Sequence, residues 1–226
     1  MAKAGKGRAG CGCVIFVLVV CMVLAGLLVH PFSLRLMAGR FRHEDRVVPC
    51  DAIFVPRFVE DRNGEVYAEA FREYWAGDGK VIWVEDDRVL GLSLKDIVVR
   101  MAKERGIKEA AVHGLTLQGD DAAKAREALA ALARQRVKKI VLIVPGYASK
   151  RYQLLYGAAN PDDSMLVLVK PVSVSYFKAD KWWSDGLSRS VMEREFYGVG
   201  LYYARWFKHN EKGDSGKNED GPQGRP

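Results

Sequence analysis

Four short stretches of the chain carry the residue types that hold charged or polar ligands, and each follows an apolar run. They are Pro56-Arg57-Phe58, then Glu85-Asp86-Asp87-Arg88, then His113-Gly114 with Thr116, Gln118, Gly119, Asp120 and Asp121, and last Pro145-Gly146-Tyr147 with Lys150 and Arg151. An arginine presents a planar fork of donors that matches carboxylate or phosphate, so Arg57 and Arg151 are candidate anion clamps, with Lys150 as a point charge beside the second. The Thr116 to Asp121 stretch precedes a helix start, where unpaired backbone N–H groups attract an anion. Asp120 and Asp121 compete for those same donors as N-cap and first-turn residues. Glu85, Asp86 and Asp87 could offer clustered oxygens to a divalent cation, but adjacent carboxylates in a surface turn are the commoner arrangement, and no metal is assigned. His113 has no Cys, Asp or Glu at metal-ligand spacing and is read as a hydrogen-bonded strand-end histidine. There is no G-x-S-x-G, no P-loop and no G-x-G-x-x-G, so no catalytic residue and no cofactor is assigned.

These stretches need a scaffold that brings them together, and the alternation of apolar runs with amphipathic segments supplies one. It is the pattern of βαβ units around a parallel sheet. Strands are expected at 51–55, 80–85, 109–113, 139–144 and 165–169. Helices are expected at 65–76 closed by Gly77, from Ser93 to a stop at Gly106, at 120–136, at 147–156 ended by Gly157, and at 187–207. Lys139 to Val144 is apolar on both faces, as a central parallel strand should be. The fold class is therefore α/β, an open sheet of about five parallel strands. In such a sheet ligands sit outside the carboxyl ends of the strands, where the four stretches fall.

Ahead of that domain, Cys11 to Val29 runs 19 positions without a charged residue. At about 1.5 Å per residue it spans ~28 Å, enough to cross a hydrocarbon core. Lys3, Lys6 and Arg8 precede it, which by the positive-inside rule keeps residues 1–10 in the cytoplasm and sends the domain outward. The expected layout is an anchor at 11–30, a polar juxtamembrane connector at 31–49, the domain at 50–207 and a disordered tail at 208–226. This describes a single-pass protein of the inner (cytoplasmic) membrane with its domain extracytoplasmic. A cleaved signal peptide is the competing reading, but Ala25-Gly26-Leu27 is a poor cleavage site. Val20 before Cys21 argues against lipoprotein processing. Three of four cysteines lie in or at the anchor, which leaves Cys50 alone in the exported part with no disulfide framework.

The net charge of +7 includes three charges before the anchor, and the remainder is scattered through mixed-sign sequence. Without a basic stripe interleaved with aromatics, nucleic acid is not an expected partner. The membrane, through the chain's own anchor, is.

The arrangement from Asp51 to Arg205 resembles the SanA/YdcF/ElyC family of bacterial envelope proteins. The resemblance rests on Asp51 opening the first strand, Tyr74-Trp75-Ala76-Gly77 closing the first helix, the Lys138 to Val144 strand leading to Tyr147 and Arg151, the Trp182-Trp183 pair, and Glu195. The family's S-x-N-T-x-E-N-A motif falls on Thr116 to Ala123, where only the alanine matches. In its V-T-S-x-Y-H-x-x-R strand end the histidine is replaced by Ala148, and the glycine-rich turns after the first two strands are absent. The resemblance implies a Rossmann-like, doubly wound fold and a role in envelope integrity or in cell-wall and surface-polysaccharide metabolism. It also implies an anionic or nucleotide-like ligand, or a cell-wall or polysaccharide precursor, held by Arg57, Thr116, Gln118, Asp121, Tyr147, Lys150, Arg151 and Glu195. The lost glycines and histidine favour binding over turnover. The other reading is a non-catalytic interaction or scaffold protein on a degenerate family fold that uses exposed aromatics such as Trp182 and Trp183 to meet a membrane or protein partner.

Overall fold

The computed structural model describes residues 8–89 and 91–215, with side chains placed for 14–27, 29–89 and 91–204. Residues 1–7, including Lys3 and Lys6, and residues 216–226 of the expected tail lie outside the described residues.

Strands β1 (Ala52–Val55) and β2 (Ile82–Asp86) enclose α3 (Glu65–Ala76), which follows two N-terminal helices, α1 (Arg8–Val29) and α2 (Pro31–Arg40). A small antiparallel hairpin of β3 (Arg88–Val89) and β4 (Leu92–Ser93) leads into α4 (Leu94–Lys103). Then come β5 (Val112–Thr116), α5 (Asp121–Arg134), β6 (Lys139–Pro145), α6 (Ser149–Ala159), β7 (Leu166–Val172) and α7 (Gly186–Ser215). Five of the strands form one wholly parallel sheet in the order β5-β2-β1-β6-β7. This is an α/β fold of Rossmann-like type.

The chain builds outward from β1 through β2 to β5, then returns to the other side of β1 with β6 and β7. Right-handed crossovers consequently place α3 and α4 on one face and α5 and α6 on the other. The order reverses between β1 and β6, which makes their carboxyl ends the topological switch point. The central strands are closed to water on both faces: Ala52, Ile53, Phe54 and Val55, and Ile140 to Val144, have no exposed surface.

Helix α3 has the bounds expected from its apolar spacing. Val66, Tyr67, Ala70 and Phe71 are buried, and Gly77 closes it at φ 84°, a conformation that L side chains rarely adopt. Trp75, near the end of the helix, is exposed. Ser93 caps α4 through an Asp96 N–H contact of 3.3 Å, and Asp120 caps α5 through Ala123 N–H at 2.8 Å.

Several boundaries differ from expectation. Residues 109–111 form a single 3-10 turn, and the third sheet strand starts only at Val112, so Thr116 ends that strand rather than opening a loop. Gly157 does not end a helix but lies inside α6, where a Cβ would point into open space. Asn160 ends it, tying its amide to Met165 O at 2.7 Å and Met165 N at 3.3 Å. Helix α7 continues through Ser215, past Phe207. The expected connector at 31–49 contains a helix, α2.

Among the described residues no single helix is long and apolar enough to cross a membrane. Val14–Leu27 and Pro31–Arg40 pass that test together as a pair bent by 61°. The apolar side chains of Val14 to Val20, Met22, Val23, Leu24 and Leu27 are all exposed.

Candidate functional site

At the switch point the chain fills the crevice with its own side chains. Phe58, after β1, meets Tyr152 of α6 with ring centroids 5.3 Å apart. Tyr147, after β6, packs against Phe177 at 4.8 Å and shares a 3.0 Å hydroxyl contact with Tyr176. Burial first, and Tyr176 second, push the Tyr147 phenol above its ordinary value, so it stays a neutral hydroxyl.

Behind those rings lies a chain of alternating charges. Arg151, on the first turn of α6, donates from Nε to Glu195 Oε2 at 2.7 Å and from Nη2 to Glu195 Oε1 at 3.0 Å. Its Nη1 pairs with Asp121 at the start of α5, and its guanidinium lies 4.9 Å over the Tyr152 ring. Arg194 extends the series, 3.8 Å from Glu195 and paired with Glu60 of the loop after β1. The five charges from Asp121 through Arg151, Glu195 and Arg194 to Glu60 sum to minus one.

Glu195 is wholly buried. Burial pushes its carboxyl above the ordinary value, with Arg151 and Arg194 opposing that rise. Burial likewise works against the charge on Arg151, but Glu195 outweighs it and holds the guanidinium protonated. The sequence reading makes Arg151 a clamp for an external anion; its donors are instead taken by two carboxylates of the chain itself.

A second set of pairs lies after β2. Buried Glu85 accepts the Arg57 backbone N–H at 2.9 Å on one oxygen and Lys124 Nζ at 2.7 Å on the other. The Arg57 guanidinium pairs with Asp87. Asp86 accepts Ser93 Oγ at 2.9 Å and Lys95 N–H at 3.0 Å, which anchors the start of α4. These carboxylates are thus engaged by the protein, and among the described residues no group of three or more His, Cys, Asp and Glu could hold a metal ion.

The structure brings Asp121, Arg151 and Glu195 into direct contact, with Tyr147 nearby. Thr116 and Gln118 stay apart from them and exposed, Gln118 N–H donating to Glu127 at 3.0 Å. Lys150 turns away along α6 to Gln153 at 3.0 Å. Sequence reasoning missed Glu60, Lys124 and Arg194. Arg194 adjoins Glu195 in the chain, which is the only local signal; Glu60 and Lys124 are recruited across the fold.

Beside the charge chain a groove of about 680 Å³ runs between α6 and α7. Leu155, Ala159, Tyr197 and Leu201 give it apolar lining, and Asp121, Arg126 and Arg194 line it as well. Gly198 makes this contact of the two helices possible, since a Cβ there would lie 2.5 Å from Arg151 Cδ. Chemically the site offers a neutral hydroxyl, a chain of paired ions and an apolar trough that Arg126 also lines. No protein-family model matches the chain, and no curated protein matches it.

Proposed function

We propose that this chain is a membrane-tethered extracytoplasmic protein on the SanA/YdcF/ElyC pattern, serving the bacterial cell envelope by binding rather than by turnover. What supports the reading is the meeting of Arg151 with Glu195. Arg151 stands out as a strand-end charge and Glu195 through the family resemblance; they lie 44 residues apart, yet they are joined at two points between α6 and α7. The tether rests on the exposed apolar side chains of α1 and on the bent pair it makes with α2. A wet, charged exterior does not expose such a run without a partner phase.

Binding can take two forms, and the paired state of Arg151 separates them. An anionic or nucleotide-like ligand at that arginine would have to displace two carboxylates, one wholly buried, at a desolvation cost of several kcal/mol per ion. An interaction role for the scaffold asks for no such displacement, but Trp182, expected to be exposed for that role, is buried and Trp183 packs against the core, so a partner would have to meet other surface.

Location is tested by labelling in intact cells. Lys103→Cys, on exposed α4, goes into a chain whose Cys11, Cys13 and Cys21 are serine, and a membrane-impermeant maleimide is applied. Reaction without lysis supports the outward placement; reaction only after lysis, or recovery of the chain without detergent, sinks it. Ligand binding is tested by thermal shift of the detergent-solubilised full chain against nucleotides, phosphosugars and S-adenosylmethionine. A ligand at a hundred times its Kd would stabilise by ~2.7 kcal/mol. A shift that Arg151→Ala abolishes would restore the small-anion form of the reading.

A further inference from the structure

The stretch after α1 is not a free tether. Trp182 Nε1 donates to Leu34 O at 2.9 Å, and Arg35 Nε donates to Asp180 O at 3.2 Å. Phe41 stands edge-on to Phe196 with centroids 4.7 Å apart. Lys150 N–H reaches Phe41 O at 3.0 Å, and His43 N–H reaches Ser149 Oγ at 2.8 Å. Helix α2, separated from α1 by His30 alone, is therefore fixed against residues 179–184, with the chain just after it held by the start of α6.

A pocket of about 280 Å³ lies between that helix and the strand ends. Arg35 and Arg42 line it from the α2 side, Gly146 and Ser173 from the strand side, and the rings of Tyr147 and Phe177 close it. Arg42 gives Nη2 to Glu44 at 2.9 Å, while its Nη1 faces inward, 3.4 Å from where a Cβ on Gly146 would stand. A side chain at 146 would take the space between Arg42 and Val172 O, and glycine leaves it open. Asp180 is on the rim, yet no ion pair within 4.0 Å joins it to either arginine among the described residues.

We propose that this pocket binds a phosphodiester monoanion. Arg35 and Arg42 both line this small space, and arginine is the side chain suited to recognising phosphate oxygens. The charge of the surroundings chooses the ester class. Arg35 and Arg42 stand against Asp180 and Glu44, so the pocket tolerates one added negative charge and resists two, which selects a diester over a monoester. The ligand is either a phospholipid headgroup or a free glycerophosphodiester, and the position of α2 just beyond the apolar helix places the pocket within reach of the first. The inference deepens the proposed reading of a tethered binding protein by naming its ligand class, and it moves the anion from Arg151 to the juxtamembrane arginines.

The test is calorimetric titration of the full chain in dodecyl maltoside with three probes: deacylated glycerophosphoglycerol, dihexanoyl phosphatidylglycerol and inorganic phosphate. The expected result is one-site binding of a diester, weakened at least tenfold by Arg35→Gln with Arg42→Gln and unchanged by Arg134→Gln on α5. Arg35→Lys with Arg42→Lys should recover part of the affinity, and Arg42→Gln alone serves should the double variant not fold. Binding of the deacylated probe marks a free diester as ligand; binding of the acylated one alone marks the headgroup. The proposal is overturned if neither diester binds, if binding survives the loss of both arginines, or if inorganic phosphate binds as tightly. A chain that leaves membranes without detergent refutes the tether and leaves this titration readable.

Discussion

Gly198 of α7 stands so close to Arg151 of α6 that a methyl group on its Cα would lie 2.5 Å from Arg151 Cδ. Arg151 cannot swing aside, because Glu195 and Asp121 hold its guanidinium. Two residues along the same helix, Gly200 has nothing within 4 Å. The two glycines make a matched pair. Gly200→Ala should gain up to ~1 kcal/mol from helix propensity alone. Gly198→Ala has the same gain available but loses ~1–3 kcal/mol to overpacking, so its net effect should be destabilising. Urea unfolding of both variants checks this. Equal effects would mean that α7 does not press on Arg151.

The buried pair gives a larger effect. Removing one member of a buried ion pair costs about 3–5 kcal/mol because the other charge is left uncompensated. Glu195→Ala should fall near the lower end, since Asp121 still faces Arg151, and Arg151→Met should fall higher, since it strands wholly buried Glu195. Asp121, half exposed, should contribute ~1 kcal/mol or less. Losing both members together should cost less than the sum of the single losses. Additive effects in a double-mutant cycle would contradict the two-point contact.

Asp51 ties two strands at their starting ends. One carboxylate oxygen accepts Lys138 N–H at 3.0 Å and Lys139 N–H at 3.1 Å, while the other faces Lys80 at 3.4 Å. The Lys138 N–H foremost, and then the Lys139 N–H and Lys80, hold its carboxyl below the ordinary 3.8. A depressed folded value means the unfolded chain takes up its proton first as pH falls. The stabilisation is present above pH 3.8 and is lost as pH drops through the folded value. Asp51→Asn should cost about 1 kcal/mol at neutral pH, discounted for partial exposure, and the difference from the native chain should close once the pH has fallen past the folded value. A cost that persists unchanged into acid would assign the effect to packing instead.

How much of this could be read from the chain depended on whether the signal was local. Helix α3 was legible to the residue because Val66, Ala70 and Phe71 recur at helical spacing and Gly77 ends them. Strand β6 was legible because the apolar run Ile140 to Val144 has few other uses. The third sheet strand was misplaced because Glu109-Ala-Ala forms a turn held by Ala111 N–H to Lys108 O, a choice that apolar content does not reveal. Gly157 misled because a glycine that touches nothing can stay in a helix, whereas Asn160 ends α6 through bonds to a residue beyond it. In the site, Asp121 and Arg151 stood out as strand-end charges, and Glu195 only through the family resemblance. The pairing of Glu60 with Arg194 spans 134 positions and leaves no local trace. That Arg151 is already satisfied is likewise a property of the fold, since residue type announces a clamp and cannot say which carboxylate fills it.

Cys50 converts burial into a rate. It has 3% of its surface exposed and donates its thiol to Val48 O at 3.1 Å. Burial first, and then the Asp51 charge, push the thiol from 9.0 up to about 11. Below both values that difference makes the thiolate about a hundredfold scarcer, and steric closure slows attack further. In a chain with Cys11, Cys13 and Cys21 changed to serine, Cys50 should react with maleimide at pH 8 at least a hundredfold more slowly in the native protein than in urea. The raised folded value also has a sign for stability: the unfolded chain releases the proton first, so the contribution is intact below pH 9 and shrinks as pH climbs toward 11. Cys50→Ser should flatten that alkaline decline. Native labelling at the rate of an exposed thiol would show that the edge where β1 begins is open to water, contrary to the closed junction that Cys50, Asp51 and Lys139 form.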